Sequence, residues 1–327
     1  MNLRKLIFGH KNNKIAYYIR VISRELLPKV LYRRKLSKIL SNVPVEDREY
    51  IRSRVNYYNQ LNQSNFVNES FVKLKEISIP DKTRVYYFDS QEFFRYFDPE
   101  LTISYHWGDV TFVPPEPAIV KSRPLVPENS NSVLLNLNKI RHFNFINDTR
   151  DFRTKKNLLI GRANVFQPHR IRFYESYFHH PLCDLGQINQ NMNLQWVKKK
   201  LTIEQQLDYK FILSLEGHDV GSNLKWIMSS NSVAVMPTPR YETWFMEGTL
   251  IPDHHYIHIK DNYSDLEEKL IYYIKFPEKA QQIINNAHTY INQFKNRKRE
   301  KLISLMVLEK YFFKTGQYEP YNQRWYY

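Results

Sequence analysis

The sequence is poor in several residue types, and each shortage excludes a class of protein. Only eight of its 327 residues are glycine and one is cysteine, which excludes collagen-like repeats, disulfide frameworks and cysteine-based metal centres. We expect Cys183 to be a reduced, structural thiol. No run approaches the roughly 18–20 apolar residues that span a bilayer. The first residues also lack the apolar core and cleavage site of a secretory leader, which predicts a cytoplasmic location.

Acidic residues are outnumbered, and the imbalance is concentrated at the start of the chain. The formal net charge is +15, and residues 1–40 hold eleven Lys and Arg against one acid, Glu25, a local charge of +10. Apolar residues recur there at helical spacing, at Ile15, Tyr18, Ile19, Ile22 and Leu26. This pattern predicts an amphipathic helix interrupted near Pro28.

Two interpretations of this basic helix stay open. It can lie on an anionic membrane face, which would place the protein peripherally on the cytoplasmic face of an inner membrane. Alternatively, its apolar stripe packs on its own domain. Basic charge is also the footprint of nucleic-acid binding, but the chain contains no recognised reader motif, so we expect no nucleic-acid partner.

The remaining composition and pattern indicate a globular α/β protein. Apolar residues make up 42% and aromatic residues 15% of the chain, enough for ordinary cores, and the length favours two domains. Residues 1–60 look helical, residues 84–89 predict a short strand, and residues 91–97 predict a helix. Five prolines within residues 109–127 predict an extended, stiff loop or sheet edge.

Strands and helices alternate in the second half of the chain. Apolar runs at residues 157–160, 209–215, 232–236 and 256–260 predict buried strands, and helical patterns cover residues 170–180, 222–230, 264–275 and 277–294. This alternation predicts a parallel sheet covered on both faces. We place the domain boundary near residue 150, giving domains 1–150 and 151–327, with a charged helix from about residue 295 and an aromatic end at residues 325–327.

Candidate binding residues follow the predicted strands. Gly217, Gly221 and Ser222 form a turn before a helix, where backbone N–H groups and the charge of Lys225 suit a diphosphate. The structural alternative is a glycine turn with Ser222 as the helix N-cap. Further candidates are the guanidinium groups of Arg162 and Arg170 beside Gly161 for phosphate, and Glu242 with Trp244 for ribose or sugar hydroxyls. The alternative for the two arginines is that they are solvated surface residues. The alternative for Trp244 and Glu242 is a core aromatic residue with an acid beside it that has no binding role.

Asp109 is the candidate general base, because a carboxylate at the entry to the proline-rich segment can take the proton of an attacking hydroxyl. The alternative is an aspartate that caps a turn. Histidines occur in two clusters, at His179, His180, His254, His255 and His258, but their spacing completes no familiar metal set. The chain also has no Asp-x-Asp, so we predict neither a metal nor a cofactor.

Several of these segments together resemble glycosyltransferase family 90. The resemblance rests on residues 209–217, 222–232, 241–245, 250–252 and 255–256, ending at 261 and 264–266, in matching order and spacing. This family contains capsule proteins of the CAP10 type, eukaryotic protein O-glucosyl- and O-xylosyltransferases, and bacterial LpsA-type lipopolysaccharide transferases. Residues 108–114, 119–124 and 141–143 are similar to the bacterial branch.

The resemblance implies a GT-B-like fold, two Rossmann-like domains whose parallel sheets face a central cleft. It also implies an inverting transfer of a hexose from a UDP-sugar co-substrate to a hydroxyl of a lipopolysaccharide acceptor, without a metal. Asp109 falls at the position of the family's base. The implied donor-binding residues are Lys121, Ser122, Arg123, Gly161, Arg162, Arg170, Gly217, Gly221, Ser222, Asn223, Lys225, Glu242 and Trp244.

Two points of this assignment stay open. Eukaryotic members carry Arg near the position of Asn223, so the residue that supplies positive charge to the donor phosphates at this position is left open, with Lys225 or an arginine from elsewhere as candidates. His218 has no assigned role. The alternatives to a lipopolysaccharide transferase are a transferase acting on capsule or another polysaccharide, and an inactive glycan-binding protein of the same fold.

Overall fold

A computed structural model describes residues 12–62, 70–190 and 193–320. Its helices are α1 (Lys14–Glu25), α2 (Val30–Ser41), α3 (Arg48–Tyr58), α4 (Arg84–Phe94), α5 (Lys139–His142), α6 (Pro168–Tyr177), α7 (Ile203–Gln206), α8 (Leu224–Met228), α9 (Leu266–Lys275), α10 (Pro277–Asn292) and α11 (Arg297–Lys314). Its strands are β1 (Val72–Lys73), β2 (Thr102–His106), β3 (Ala118–Val120), β4 (Ser122–Pro124), β5 (Ser132–Leu134), β6 (Lys156–Ala163), β7 (Cys183–Gln187), β8 (Tyr209–Leu213), β9 (Val233–Met236), β10 (Tyr241–Thr243) and β11 (Ile257–His258).

The chain forms two compact units, and neither is a single stretch of sequence. The first unit contains Ile140–Arg240 and Glu247–Gln293, and the second contains Lys14–Lys139, Tyr241–Met246 and the chain from Phe294 onward. The predicted division at residue 150 differs from this, because β10 and α11 belong with the earlier part of the chain. The predicted aromatic end at residues 325–327 lies outside the described residues.

The first unit is built on a parallel sheet. Its strand order is β11-β9-β8-β6-β7, and all neighbours run parallel. Its core joins apolar side chains of the strands, such as Leu159 and Phe211, with those of α6, α9 and α10, such as Phe173, Leu270 and Ile283. The four predicted strands and the parallel sheet are confirmed, while strand β7 was not predicted.

The second unit contains smaller sheets. Strands β1, β2, β3 and β5 form one sheet in that order, antiparallel between β1 and β2 and parallel elsewhere, and β4 pairs antiparallel with β10. The α/β class is therefore confirmed, and the GT-B arrangement stays a prediction. The proline-rich segment supplies β3 and β4, both buried, so it is not an edge loop throughout.

One predicted element is wrong. Residues 84–89 were expected to form a strand, but they open helix α4. Nearly every side chain from Tyr86 to Phe94 is buried, so the helix is covered on all sides. The aromatic residues that favour strands also suit a helix enclosed by other elements, because burial overrides local preference.

Helices α1 and α2 confirm the prediction of a basic helix interrupted near Pro28, and α3 continues the helical start of the chain. Among the described residues, no helix has the length and hydropathy that crossing a membrane requires.

Candidate functional site

The sheet of the first unit contains a point where the strand order reverses. From β6 the chain moves to β7 on one side and then returns to β8, β9 and β11 on the other. In open parallel sheets, ligands bind beyond the carboxyl ends of the two strands that flank such a reversal. Here these strands are β6 and β8, which are paired directly. The segments after them, residues 164–167 and 214–223, contain several of the predicted donor-binding residues.

Arg170, on helix α6, connects the two segments. Its Nε donates to the carbonyl of Glu216 at 2.8 Å, and its terminal nitrogens donate to the carbonyls of Asn164 at 2.8 Å and Leu215 at 2.9 Å. Helix α6 begins at Pro168, whose fixed φ suits the first helical turn. Among the described residues, Arg170 forms no direct ion pair with a carboxylate, and its guanidinium group is held by backbone carbonyls at the reversal point.

Further positive charge surrounds this guanidinium group. Burial lowers the pKa of Arg170, and the charge of Arg141 acts in the same direction, while Tyr174 and the Glu216 carboxylate act against them. Burial also lowers the pKa of His169, and the charges of Arg170, Arg240 and Arg172 act in the same direction. Each shift means that the surroundings disfavour an added positive charge, a penalty that a bound anion would relieve.

The segment after β8 is held by a network around Asn223. The Asn223 amide donates to the carbonyl of Leu213 at 2.9 Å, and its Oδ1 accepts from Ser214 at 3.0 Å. A Cβ on Gly221 would lie 2.8 Å from the Ser214 Oγ, so only glycine fits this close approach. A Cβ on Gly217 would meet nothing nearer than the Arg170 guanidinium, at 3.6 Å. Gly217 is therefore open to a ligand, whereas Gly221 shapes the loop.

Ser222 is partly exposed, and among the described residues its hydroxyl makes no hydrogen bond. The interpretation of Ser222 as an N-cap is wrong, since α8 begins at Leu224 and Asn223 occupies the N-cap position. The prediction for Lys225 also needs correction. Its side chain is fully buried and forms an ion pair with Glu247. A buried, paired ammonium group is not presented to a phosphate.

Gly161 and Arg162 also differ from their predicted role. A Cβ on Gly161 would lie 2.8 Å from Leu185, so this glycine allows the sheet to pack closely. The buried Arg162 donates to the Asp184 carboxylate at 2.8 Å and to the Asp184 carbonyl at 2.7 Å. The structure therefore gives Arg162 and Arg170 separate partners instead of one shared phosphate clamp.

The second unit holds Asp109 in a fixed position. The Lys121 ammonium donates to its Oδ1 at 2.6 Å, and among the described residues no group donates to its Oδ2. The Ser122 hydroxyl accepts from the Val110 N–H at 3.0 Å and donates to the Val110 carbonyl at 3.1 Å. On the other side, Gly108 has a φ of 133°, a conformation that favours glycine. Lys121 and Ser122 thus position the carboxylate.

Aromatic rings lie next to Asp109 in the sequence. Trp107 and Tyr105 have ring centroids 4.3 Å apart, and Phe112, which is half-exposed, contacts His106 edge-on at 5.4 Å. Aromatic faces beside a carboxylate are typical of sites that bind molecules with both apolar and hydroxyl groups, as sugars are.

Three predicted donor contacts are core residues of the second unit. Arg123 is fully buried, and its Nε lies 2.7 Å from Glu242 Oε1, while Tyr57 donates to the other oxygen of Glu242. This pair joins β4 to β10. Trp244 stacks on Tyr58 with 3.8 Å between centroids. These contacts fit the core interpretation of Trp244, and because the polar groups of Arg123 and Glu242 are paired inside the unit, we do not include these three residues in the proposed donor site.

Comparisons with known proteins agree with the geometry. A family model described as glycosyl transferase family 90 matches residues 150–320, slightly more than half of the chain. The O-glucosyltransferase LpsA of Dichelobacter nodosus is 41% identical over 304 residues, which cover 92% of this chain and 95% of the relative. The chain belongs to glycosyl transferase family 90.

Sequence reasoning on this family 90 member missed the acidic partners. Asp184 pairs with Arg162, and Glu247 pairs with Lys225; both cations were predicted to bind the donor. The sequence shows which residues are acidic, but it contains 33 of them. The spacing of residues along the chain does not show which acid pairs with which cation. Within the described residues no group of three or more His, Cys, Asp or Glu side chains converges as metal ligands would.

Proposed function

We propose that this glycosyltransferase moves a hexose from a UDP-sugar to a hydroxyl of a lipopolysaccharide core acceptor, with inversion at the anomeric carbon and without a metal. The observation that carries the donor part is the position of Arg170. Its guanidinium group bridges the segments after β6 and β8, where a parallel sheet of this strand order binds its ligand.

The donor diphosphate would lie against Gly217 and Ser222. The space beside Gly217 and the unengaged Ser222 hydroxyl supply room and a hydrogen-bond donor, and Arg170 supplies positive charge. Half-exposed Phe166 pairs with His218, 5.4 Å between centroids, and offers a flat surface for the uracil ring. This gives His218, which had no assigned role, a place in the donor site.

Asp109 would act as the general base. The acceptor hydroxyl attacks the anomeric carbon, its proton passes to Asp109 Oδ2, and the bond to the UDP oxygen breaks with its electron pair leaving on UDP. Attack opposite the departing UDP inverts the anomeric carbon. The Lys121 contact to Oδ1 and the Ser122 contacts to Val110 hold the carboxylate still, and fixed geometry is what proton transfer requires.

The choice of hexose and acceptor rests on the relative. That protein is named an O-glucosyltransferase, and the residues quoted for the bacterial branch are similar to lipopolysaccharide transferases. We therefore expect glucose as the transferred sugar.

The test is UDP release from UDP-glucose, UDP-galactose and UDP-N-acetylglucosamine with a defined truncated lipopolysaccharide, repeated with a capsule polysaccharide. Release that depends on UDP-glucose and lipopolysaccharide supports the proposal. Release only with capsule would assign another acceptor, and UDP binding without release for any acceptor would indicate an inactive glycan-binding protein.

A further inference from the structure

Exposed apolar side chains are concentrated on helix α1 and the turn after it. Seven large apolar residues between residues 15 and 31 are exposed: Ile15, Ile19, Ile22, Leu26, Leu27, Val30 and Leu31. Four of them form one stripe, and their exposed fractions are 70% for Ile15, 65% for Ile19, 51% for Ile22 and 81% for Leu26. The fifth residue of the predicted stripe, Tyr18, is partly buried and contacts Phe88 edge-on. The interpretation in which the stripe packs on its own domain is therefore wrong for its four exposed residues.

The stripe lies opposite the face that holds α1 in place. Successive helical residues are rotated by about 100°, so spacings of four and three place Ile15, Ile19 and Ile22 on one line, and Leu26 follows in the turn after the helix. Tyr17 and Val21 are buried on the other side. The Tyr17 hydroxyl donates to Asp89 at 2.9 Å, and Arg24 pairs with Glu92 at 2.8 Å. Because α1 is anchored by one face, its apolar stripe is a stable outer surface.

Positive charge accompanies this surface. Residues 12–41 contain eight Lys and Arg and one acid, Glu25, which pairs with Arg95. In α2, Leu31 shares its helical face with Arg34, Lys35 and Lys38, all exposed, while Leu36 and Leu40 are buried on the opposite face. An apolar stripe followed by a basic stripe complements the surface of an anionic bilayer. The apolar side chains can contact the acyl chains, and the basic side chains can contact the negative headgroups.

We propose that α1 and the basic face of α2 dock the protein on an anionic phospholipid surface. Helix α1 has 12 residues, a length of about 18 Å, and a spanning helix needs about 20 residues. The helix therefore lies along the surface with its stripe in the headgroup region. The charge of the patch favours an anionic lipid surface over a neutral apolar partner. Lysine and arginine side chains lower the free energy of binding beside anionic headgroups and gain no such attraction beside a neutral surface.

The experiment measures sedimentation of the full chain with vesicles of phosphatidylglycerol and phosphatidylcholine, and with phosphatidylcholine alone. We expect binding to the anionic vesicles that falls about 10-fold or more as salt rises from about 0.1 to 0.5 M. A variant with Gln at positions 15, 19, 22 and 26 should lose about 10-fold or more in affinity and keep its Tm, because these side chains have few protein contacts. Replacing Arg34, Lys35 and Lys38 by Gln should remove the preference for phosphatidylglycerol.

The matched control replaces Ile79 and Ile271 by Gln, since both are half-exposed and lie outside the patch, and it should bind as the original protein does. Equal binding by the stripe variant would overturn the proposal. So would light scattering that shows a dimer of the original protein and a monomer of the stripe variant, because the stripe would then join two copies. Vesicle binding that appears only after removal of residues 1–11 would show that the start of the chain occupies the stripe, and would also overturn it.

Discussion

The Lys121 ammonium lies 2.6 Å from Oδ1 of Asp109, and the lysine side chain is buried while 27% of the aspartate side chain is exposed. The pair is therefore asymmetric, with the lysine as a fixed donor inside the second unit and the carboxylate presented outward. This arrangement orients Oδ1 through its hydrogen bond to Lys121 and leaves Oδ2 able to accept a proton.

The Asp109→Asn variant should preserve folding and UDP affinity and lower kcat by roughly 10²–10⁴-fold, because an amide accepts the Lys121 hydrogen bond but cannot take a proton. Turnover, Tm and UDP binding are measured on the same preparation. If Asp109 only caps a turn, the variant will instead show a small Tm change and nearly normal kcat, because Asn caps as well as Asp.

Substitution of two arginines should separate ligand binding from folding. Arg170→Lys keeps the charge but loses the geometry that joins the segments after β6 and β8, so we expect UDP affinity to fall about 10–100-fold. Arg162→Lys is the control, because Arg162 binds Asp184 within the sheet, and it should lower Tm with little change in UDP affinity. Calorimetric titration with UDP and thermal melts measure both effects, and equal affinities for the two variants would remove Arg170 from the donor site.

The two glycines of the loop after β8 should respond differently to alanine. Gly221→Ala places a Cβ 2.8 Å from Ser214, and we expect a stability loss of about 1–3 kcal/mol. Gly217→Ala meets nothing closer than 3.6 Å, so stability should stay within about 0.5 kcal/mol of the original, while the methyl group hinders the diphosphate and weakens UDP binding. Urea unfolding and UDP titration test this pair, and unchanged UDP affinity for Gly217→Ala would place the diphosphate elsewhere.

Turnover should survive chelation. The proposed donor site neutralises phosphate with Arg170, backbone N–H groups and Ser222, so we expect no change in initial rate after treatment with EDTA. The assay compares dialysed enzyme with and without added Mn²⁺ or Mg²⁺. Complete loss of activity in EDTA, restored by either ion, would show that a metal takes part.

Acid should destabilise the first unit through His255. Burial and the neighbouring His254 lower the pKa of His255 to about 4, and its Nδ1 accepts from the Ile251 N–H at 2.9 Å, which suits a neutral ring. The unfolded chain takes up this proton near pH 6.5, so stability is complete above that pH and is lost as pH falls toward 4. In thermal melts, the Tm of the original protein should fall between pH 7 and pH 5, and the Tm of His255→Asn should fall by less. An equal fall in both proteins would contradict this prediction.

The strands of the first unit could be predicted because they are continuous apolar runs, such as residues 209–215, that end at turns. Helix α4 could not, because its aromatic residues at 86–88 favour strands locally and become helical only through burial on every side. The donor role of the loop around Gly217 and the base role of Asp109 stay predictions; the structure shows only that Gly217 has open space beside it and that Asp109 is partly exposed.

The buried charges could not be predicted from spacing. Arg54 and Glu300 lie 3.0 Å apart although 246 positions separate them in the chain, and Trp244 also donates to Glu300 at 2.6 Å. The sequence around a charged residue is the same whether its partner is a ligand or a distant side chain. Local pattern and family resemblance therefore assigned Lys225, Arg123 and Glu242 to the donor, although each pairs with another side chain of the protein.

The discontinuous second unit limits how this enzyme can be divided or exchanged. A fragment that ends at residue 150 would lack β10, the partner of β4, and α11, which supplies Glu300 to Arg54. Such a fragment would leave the cation of Arg123 buried without Glu242, a loss that is strongly destabilising. A hybrid of two related genes joined near residue 150 would therefore keep the second unit intact only if both parents supply matching partners for the pairing of β4 with β10 and of Arg54 with Glu300.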